Sequence, residues 1–239
     1  MAKNLRDSLI RFILDDIFRG KLKAGDRLPT LEALAREHRM SVASVREAIH
    51  KLSLMGMVRI QQGGGTFLAE NVPSIIDILD ARKYVEAATC LLAAKNGTKQ
   101  DFETLGRIIR GMEEDYSRGD TVAYTQRDLE FHLAVGRMSK NVILSAFLEN
   151  IQDLLYYLQQ RTHMLRGTIE RAHTFHPKIA AALQARNGAL AQALISDHLD
   201  SVMKAWSAFD ARGVRRGKAL RKGGRSRIGG GGNGFIRGR

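Results

Sequence analysis

The sequence has little of several residues that mark common protein classes. Its 239 residues include one cysteine, Cys90, and three prolines. A single cysteine excludes a disulfide framework and a cysteine-ligated zinc site, and it fits a reducing compartment. No apolar run approaches the roughly 18 residues that indicate a membrane span, and the N-terminus leads into an amphipathic pattern rather than a signal-peptide core. We therefore expect a cytoplasmic protein with no membrane partner.

Residues 213–239 have no acidic side chain, so most of the positive net charge of the chain lies there. The formal net charge is +13. Residues 1–70 have 12 basic and 8 acidic side chains, residues 71–212 have 17 of each, and residues 213–239 have nine basic side chains, no acid and ten of the 23 glycines. Residues 213–239 have too few apolar side chains to form a buried core. We predict two domains followed by a basic, Gly/Arg-rich disordered tail at 213–239, which either adds nonspecific phosphate contacts or has no selected role; the second is favoured.

Residues 1–70 show the pattern of a small DNA-binding domain. Apolar residues recur at helical spacing over 4–19, and Thr30 and Ser41 are placed to cap a short helix and a third helix that ends near Leu54. Two strand-like pieces, 57–61 and 66–69, flank a Gln-Gly-Gly-Gly turn. Helix, helix, helix and hairpin in this order indicate a winged helix-turn-helix. The pattern alone leaves open a helical domain whose positive face is merely solvated.

The residues of this block resemble the GntR-family DNA-binding domain. The resemblance rests on Gly25 through Thr30, Leu34-Ala35, Ser41, Val45 through Ile49, Leu52, Gly56, and the wing residues Gly63 and Thr66 through Leu68. It implies that bases and phosphates are contacted by the first residues of the recognition helix, by its central arginine and by the wing. Carried over by position, the DNA-binding residues are Arg27, Thr30, Ser41, Ser44, Arg46, Gln62 and Gly63. Val42 stands where the family usually has arginine, and Leu31-Glu32 stand where it has an acidic and a basic residue. Two customary contacts are therefore missing, so either the operator differs or the tail and other basic residues compensate.

Residues 75–212 are predicted to form a helical domain after a linker at 71–74. Gly, Asn and Ser breaks divide the block into helices at 75–96, 99–117, 120–138, 141–164, 168–187 and 189–211. No segment has a convincing strand pattern. The fold class is therefore mainly α: a winged helix-turn-helix followed by a six-helix antiparallel bundle.

The helical block has polar residues on apolar faces. Asp128 and His132 are four residues apart and so share one helical face. His176 and His198 lie on the apolar faces of two later helices. Buried carboxylates and imidazoles are costly unless they are paired or coordinated. This set suits Zn, Ni, Mn or Fe(II), although each histidine could instead be a hydrogen-bonded core residue and Asp128–His132 a simple ion pair.

These residues also resemble the FCD domain, the effector-binding domain of FadR-type GntR regulators. The resemblance rests on Arg82 with Glu86 and Ala93-Ala94, Asp128-x-x-Phe131-His132, Asn141, His176-x-x-Ile179-x-x-Ala182 and His198. It implies a divalent metal on Asp128, His132, His176 and His198, and a small carboxylate effector held by that metal and Arg82. Six helices point to the VanR-like branch of the family.

Three residues leave the ligand set open. Pro177 follows His176 where the family continues a helix, so we expect His176 near a kink or a helix start. His173 lies one turn away and could be the ligand in its place. His163 lies in a polar stretch near a loop and is expected to be solvated.

The sequence thus predicts a homodimeric, ligand-responsive regulator that binds a double-stranded DNA operator, acts as a repressor and responds to a small organic acid. It is not expected to be an enzyme. Two alternatives remain: a metal-dependent enzyme that uses Asp128, His132, His176 and His198, and a regulator whose histidines are structural.

Overall fold

The computed structural model describes the backbone of residues 2–223 and the side chains of residues 6–209. Within this range the chain forms ten helices and one antiparallel hairpin. None of the helices in this part of the chain is both long enough and apolar enough to cross a bilayer. The mainly α fold class is confirmed.

The first block forms the predicted winged helix-turn-helix, which we call the head. Its elements are α1 (Ala2–Phe18), α2 (Leu31–Glu37), α3 (Val42–Leu54), β1 (Val58–Gln61) and β2 (Gly65–Leu68). Both predicted caps are confirmed: the Thr30 hydroxyl accepts from the N–H of Ala33 at 3.2 Å, and the Ser41 hydroxyl accepts from the N–H of Ser44 at 3.1 Å. These bonds satisfy helix N–H groups that have no partner within the helix. The Thr30 bond fixes the start of α2, and the Ser41 bond fixes the start of α3, the predicted recognition helix.

The hairpin forms the wing. Val58 pairs with Leu68 and Gln61 with Gly65. Gly63, at the turn, has a φ of +71°, a left-handed conformation that glycine adopts without steric cost. The glycine-rich turn therefore fits the sharp reversal that the sequence predicts.

The second block contains seven helices, so the prediction of six is wrong. They are α4 (Ile75–Asn96), α5 (Lys99–Ser117), α6 (Thr121–Met138), α7 (Val142–Asn150), α8 (Gln152–His163), α9 (Thr168–Gln184) and α10 (Gly188–Gly223). The helix expected over 141–164 is divided at Ile151, where φ is −98° and ψ is 8°. This count removes the reason for choosing the VanR-like branch.

The break at Ile151 lets α8 pack against both blocks. Leu154 and Leu158 lie in the core cluster of the head, whereas Leu155 packs with Leu133 and Leu148 of the second block. Helix α8 therefore contributes apolar side chains to the cores of both blocks. Burial of apolar surface is the main stabilising term in folding, so it favours this position of α8. The head and the helical domain therefore share a core across the 71–74 segment.

Two further expectations concern α9 and the C-terminus. Helix α9 continues through Pro177, so His176 lies inside the helix rather than at its start. Helix α10 continues past Arg212 to Gly223, which takes it into the segment expected to be a disordered tail. The remainder of that segment, 224–239, lies outside the described residues.

Candidate functional site

Three histidines from three helices converge in the helical domain. His132 is on α6, His176 on α9 and His198 on α10, and one nitrogen of each lies within 4.8 Å of the others. Asp128, one turn before His132, places its Oδ1 3.0 Å from His132 Nε2 and 3.4 Å from His176 Nε2. All four side chains are buried. The structure thus brings together the four residues that the sequence selects as metal ligands, and we call them the Asp-His cluster.

Several polar atoms of this cluster lack a hydrogen-bond partner. Asp128 Oδ1, His132 Nε2, both ring nitrogens of His176 and His198 Nδ1 are buried and unpartnered. The short distance between Asp128 Oδ1 and His132 Nε2 therefore lacks the geometry of a hydrogen bond. Each such buried group costs on the order of 1–3 kcal/mol, and a cation that accepts their lone pairs would remove that cost. Three imidazoles and a carboxylate form a donor set that fits a divalent transition metal.

The electrostatics of the cluster favour neutral imidazoles at His176 and His198 beside a carboxylate anion. Burial lowers the pKa of His198 to about 3, helped by the nearby His132. Burial also holds the pKa of His176 well below its usual value, although Asp128 opposes this. Burial would lower the pKa of His132 as well, but Glu86 and Asp128 outweigh it and this pKa is raised above its usual value. Burial alone would raise the pKa of Asp128, but His176 and then His132 outweigh it and the pKa falls well below the usual range. A neutral imidazole has a free lone pair, as a metal ligand must.

Arg82 and Glu86 extend the cluster on α4. Arg82 Nε donates to Glu86 Oε1, and Glu86 Oε2 lies 2.5 Å from His132 Nδ1. Burial would raise the pKa of Glu86, but Arg82 and then His132 lower it to about 2. A carboxylate on the far nitrogen of a metal-binding histidine fixes which nitrogen faces the metal. Arg82 Nη2 is buried without a hydrogen-bond partner, so one arm of the guanidinium can bind a ligand.

The sequence singles out Glu86 only as part of a family pattern and misses its contact with His132. The four-residue spacing of Arg82 and Glu86 is a signal that predicts their ion pair. Nothing in the sequence indicates that His132, 46 residues away, meets the same carboxylate. That contact depends on how α4 packs against α6.

Two other histidines of the helical domain, His163 and His173, contact carboxylates at different places. The prediction that His163 is solvated is wrong: its side chain is 5% exposed, and its Nε2 lies 2.9 Å from Asp128 Oδ2. His173 does not join the Asp-His cluster. Its ring stacks on Tyr116 with centroids 4.0 Å apart, and its Nε2 lies 3.2 Å from Glu113. The geometry therefore selects His176 over His173 as the fourth group.

The residues expected to contact DNA lie on the head. Arg46 is exposed on α3 and lines a groove between that helix and the wing, together with Ala43, His50 and Ile60. Ser41 and Ser44 lie at the start of α3 with their hydroxyls 2.9 Å apart. An arginine beside the exposed edge of a recognition helix can reach base edges or phosphates.

The remaining predicted contacts are in the wing and the segment before α2. Gln62 and Gly63 are exposed at the turn of the hairpin. Arg27 is exposed, with its guanidinium carbon 6.0 Å from the centre of the Phe67 ring. Thr30 is exposed and caps α2. The structure thus places all seven residues on the head, at the start of α2, on α3 and along the wing.

Both blocks match known families. Residues 5–68 match the family described as bacterial regulatory proteins, gntR family, and residues 77–201, just over half of the chain, match the FCD domain. The helices that carry the Asp-His cluster, Arg82 and Glu86, namely α4, α6, α9 and α10, fall largely within the second match.

Two bacterial regulatory proteins are similar to this chain over most of its length. The HTH-type transcriptional regulator LutR of Bacillus subtilis is 29% identical over 220 residues, which covers 82% of this chain and 98% of that protein. The putative L-lactate dehydrogenase operon regulatory protein of Escherichia coli is 27% identical and covers 89% of each chain. Among solved structures, E. coli McbR/YncC has a TM-score of 0.60 at 21% identity, covering 87% of this chain and 98% of that one. The last match supports the fold.

Proposed function

Because the chain belongs to the GntR family of bacterial regulatory proteins and carries an FCD domain, we propose that it is a repressor controlled by a small carboxylate bound in the helical domain. Its families and relatives are DNA-binding transcription regulators and not enzymes, which sets aside the metal-dependent enzyme. The observation that carries the proposal is the convergence of unpartnered, buried donor atoms beside the free arm of Arg82. We place this regulator in the cytoplasm with its DNA.

In this proposal Asp128, His132, His176 and His198 hold a divalent metal, which is Zn, Ni, Mn or Fe(II). A bound cation with open positions supplies a Lewis-acidic partner for carboxylate oxygens. Glu86 keeps His132 oriented, because Oε2 lies at its Nδ1 and leaves Nε2 toward the cluster. These residues bind and orient, and no chemical transformation is required of them.

Arg82 would hold the carboxylate of the effector. Its Nε is engaged by Glu86 while Nη2 has no partner, and guanidinium–carboxylate hydrogen bonds are among the stronger ones in proteins. L-lactate is a suitable first probe, because one relative is named as a putative regulator of an L-lactate dehydrogenase operon.

On the DNA side, we propose that Ser41, Ser44 and Arg46 enter the major groove with α3. Gln62 and Gly63 would approach the flanking backbone or minor groove, with Arg27 and Thr30 on the approach to α2. A homodimer would present two heads to a roughly palindromic operator, as helix-turn-helix dimers do. The effector can change DNA affinity only by binding one arrangement of the heads better than the other.

The metal is tested by elemental analysis of the purified protein. We expect about one divalent ion per chain in the wild type, and its loss in a His132→Ala, His198→Ala variant. His173→Gln is the matched control, because His173 lies one turn from His176 but outside the cluster, and it should keep the ion. A double variant that retains stoichiometric metal would show that the histidines are structural.

The effector site is tested by thermal unfolding with a panel of small carboxylates that begins with L-lactate. A carboxylate at 100 times its dissociation constant should stabilise the wild type by about 2.7 kcal/mol. Arg82→Lys keeps the charge but loses the planar fork, so most of that stabilisation should disappear. An unchanged response in Arg82→Lys would remove Arg82 from the site.

A further inference from the structure

Helix α8 is the one element that contacts both the Asp-His cluster and the recognition helix through charged or polar side chains of the described residues. At its C-terminal end His163 Nε2 lies 2.9 Å from Asp128 Oδ2. At its N-terminal end Asp153 Oδ2 lies 2.7 Å from Nζ of Lys51, which is on α3. We propose that His163 is a positioning residue for Asp128 and that α8 transmits occupancy of the cluster to the recognition helix. This inference rests on the proposed metal site.

The contact between His163 and Asp128 leaves one oxygen for the cluster. His163 takes Oδ2, whereas Oδ1 faces His132 and His176 and has no hydrogen-bond partner. The other ring nitrogen of His163 lies 2.7 Å from the Thr125 hydroxyl. A histidine held from both sides fixes the rotation of the carboxylate. Conversely, a cation held by Oδ1 would turn the carboxylate and so move Oδ2, the oxygen that His163 contacts.

The C-terminal end of α8 is also bound to the two other helices that carry cluster histidines. Trp206 on α10 donates through Nε1 to the Thr162 hydroxyl at 2.7 Å. Thr168, the first residue of α9, donates to the Thr162 carbonyl at 2.6 Å. Neighbouring residues at the end of one helix therefore contact α6, α9 and α10. A change in the spacing of those helices reaches α8 at this point.

The other end of α8 is held firmly in the head. Leu154, Tyr157 and Leu158 belong to the same buried cluster as the apolar residues of α1 and α3. The Tyr157 hydroxyl donates to Asp15 at 3.3 Å, and its ring stacks on Phe18 with centroids 5.5 Å apart. Packed cores do not deform continuously, so displacement of α8 is carried into the head rather than absorbed between the two.

The Lys51–Asp153 pair connects α8 to the DNA-reading element itself. Asp153 is largely buried, with 10% of its side chain exposed, and Lys51 is 28% exposed. Lys51 lies in the last turn of α3, whose N-cap is Ser41 and whose first turn carries Ser44. The pair thus joins α8 to one end of the 13-residue helix α3, whose other end carries the serines expected to contact DNA.

Hydrogen exchange of the full chain, with and without saturating Zn²⁺, tests this route without knowledge of the operator. In the wild type, zinc should slow amide exchange in α6, α9 and α10, and also in α8 and α3. Coupling free energies between sites commonly correspond to factors of 5–150, so we expect at least about a fivefold change in α3. Zinc affinity is measured in parallel by titration.

The variants separate the two ends of α8. His163→Phe should weaken zinc binding by about 10–100-fold, the usual effect of losing a group that orients a ligand. At saturating zinc it should keep the change in α6, whereas the changes in α8 and α3 should be much smaller, because only the contacts of Thr162 with α9 and α10 remain. Lys51→Met should keep the change in α8 and reduce the change in α3, where only the apolar contacts with α8 remain. His163→Gln restores a donor to Asp128 and should recover the wild-type pattern.

Two matched controls should retain the full pattern: His173→Gln, another histidine of this domain, and Lys83→Met, which breaks a lysine–aspartate pair with Asp200 within the helical domain. If Lys51→Met or His163→Phe binds zinc and still slows exchange in α3 like the wild type, the route is wrong. Zinc binding by the wild type without any change in α3 would overturn the coupling and leave the metal site intact. Absence of zinc binding by the wild type would overturn both.

Discussion

The head and the helical domain place their functional side chains in opposite environments. Arg46 and Gln62 are exposed on a recognition helix and a wing, whereas Asp128, His132 and Glu86 are buried among four helices. An exposed side chain is useful once its helix is correctly placed, because water satisfies it in the absence of DNA. A buried polar group needs a partner at all times. A surface site therefore depends on the placement of one helix, whereas an interior site depends on the packing of several helices against one another.

The largest expected effect comes from breaking a carboxylate pair in each region. Glu86→Ala would leave the buried guanidinium of Arg82 without a counter-ion, and such changes cost about 3–5 kcal/mol. Glu47→Ala in the head removes a carboxylate that is 66% exposed and lies 3.3 Å from Arg6, which should cost less than about 1 kcal/mol. Urea unfolding in the presence of a chelator measures both. Equal losses would mean that burial does not distinguish the two regions.

The next comparison removes a cation from each region and measures DNA affinity. Arg46→Ala should weaken binding to a fragment selected in vitro by about 1–3 kcal/mol, because a base or phosphate contact of the head is lost. Arg107→Ala, an exposed arginine on α5 that contacts Thr104, removes the same charge far along the chain. It should leave DNA affinity unchanged. A similar loss in both variants would indicate that net charge, rather than the position of α3, determines binding.

The head and the helical domain also differ in how much of each could be predicted from the sequence. In the head, the caps Thr30 and Ser41 and the glycine-rich turn act locally, so the order of elements could be predicted. In the helical domain, α4 and α5 match their expected bounds because Ser74 and Thr98 form local capping boxes. The four cluster residues could be found because a polar residue on an apolar face is visible in the helical period.

What the sequence could not show depends on contacts between helices. The helix divides at Ile151, where no local residue forces a break, and Leu154 and Leu155 of α8 are buried in different cores. The burial of His163 follows from that division, because a separate α8 brings its last residue to Asp128. The contact of Glu86 with His132 likewise depends on the packing of α4 against α6. Long-range contacts of this kind leave no periodic signal in one sequence.

The smallest expected effect separates a cap from a DNA contact. Ser41→Asp keeps a good N-cap for α3, so the free energy of unfolding should change by no more than about 0.5 kcal/mol. The new carboxylate would face phosphates, however, and repulsion between two such charges about 4 Å apart in water costs about 1 kcal/mol. Asn141→Asp is the matched control, because Asn141 caps α7 through its side-chain oxygen and lies in the helical domain.

Measured together, these two substitutions ask whether Ser41 has one role or two. If Ser41 only caps α3, both variants should unfold and bind DNA like the wild type. If Ser41 also faces DNA, the two should remain equally stable while only Ser41→Asp loses affinity, and the loss should shrink as salt screens the repulsion. In that case the head uses the same hydroxyl to begin its recognition helix and to meet the operator. The helical domain, by contrast, keeps its caps on the surface and the Asp-His cluster in the interior.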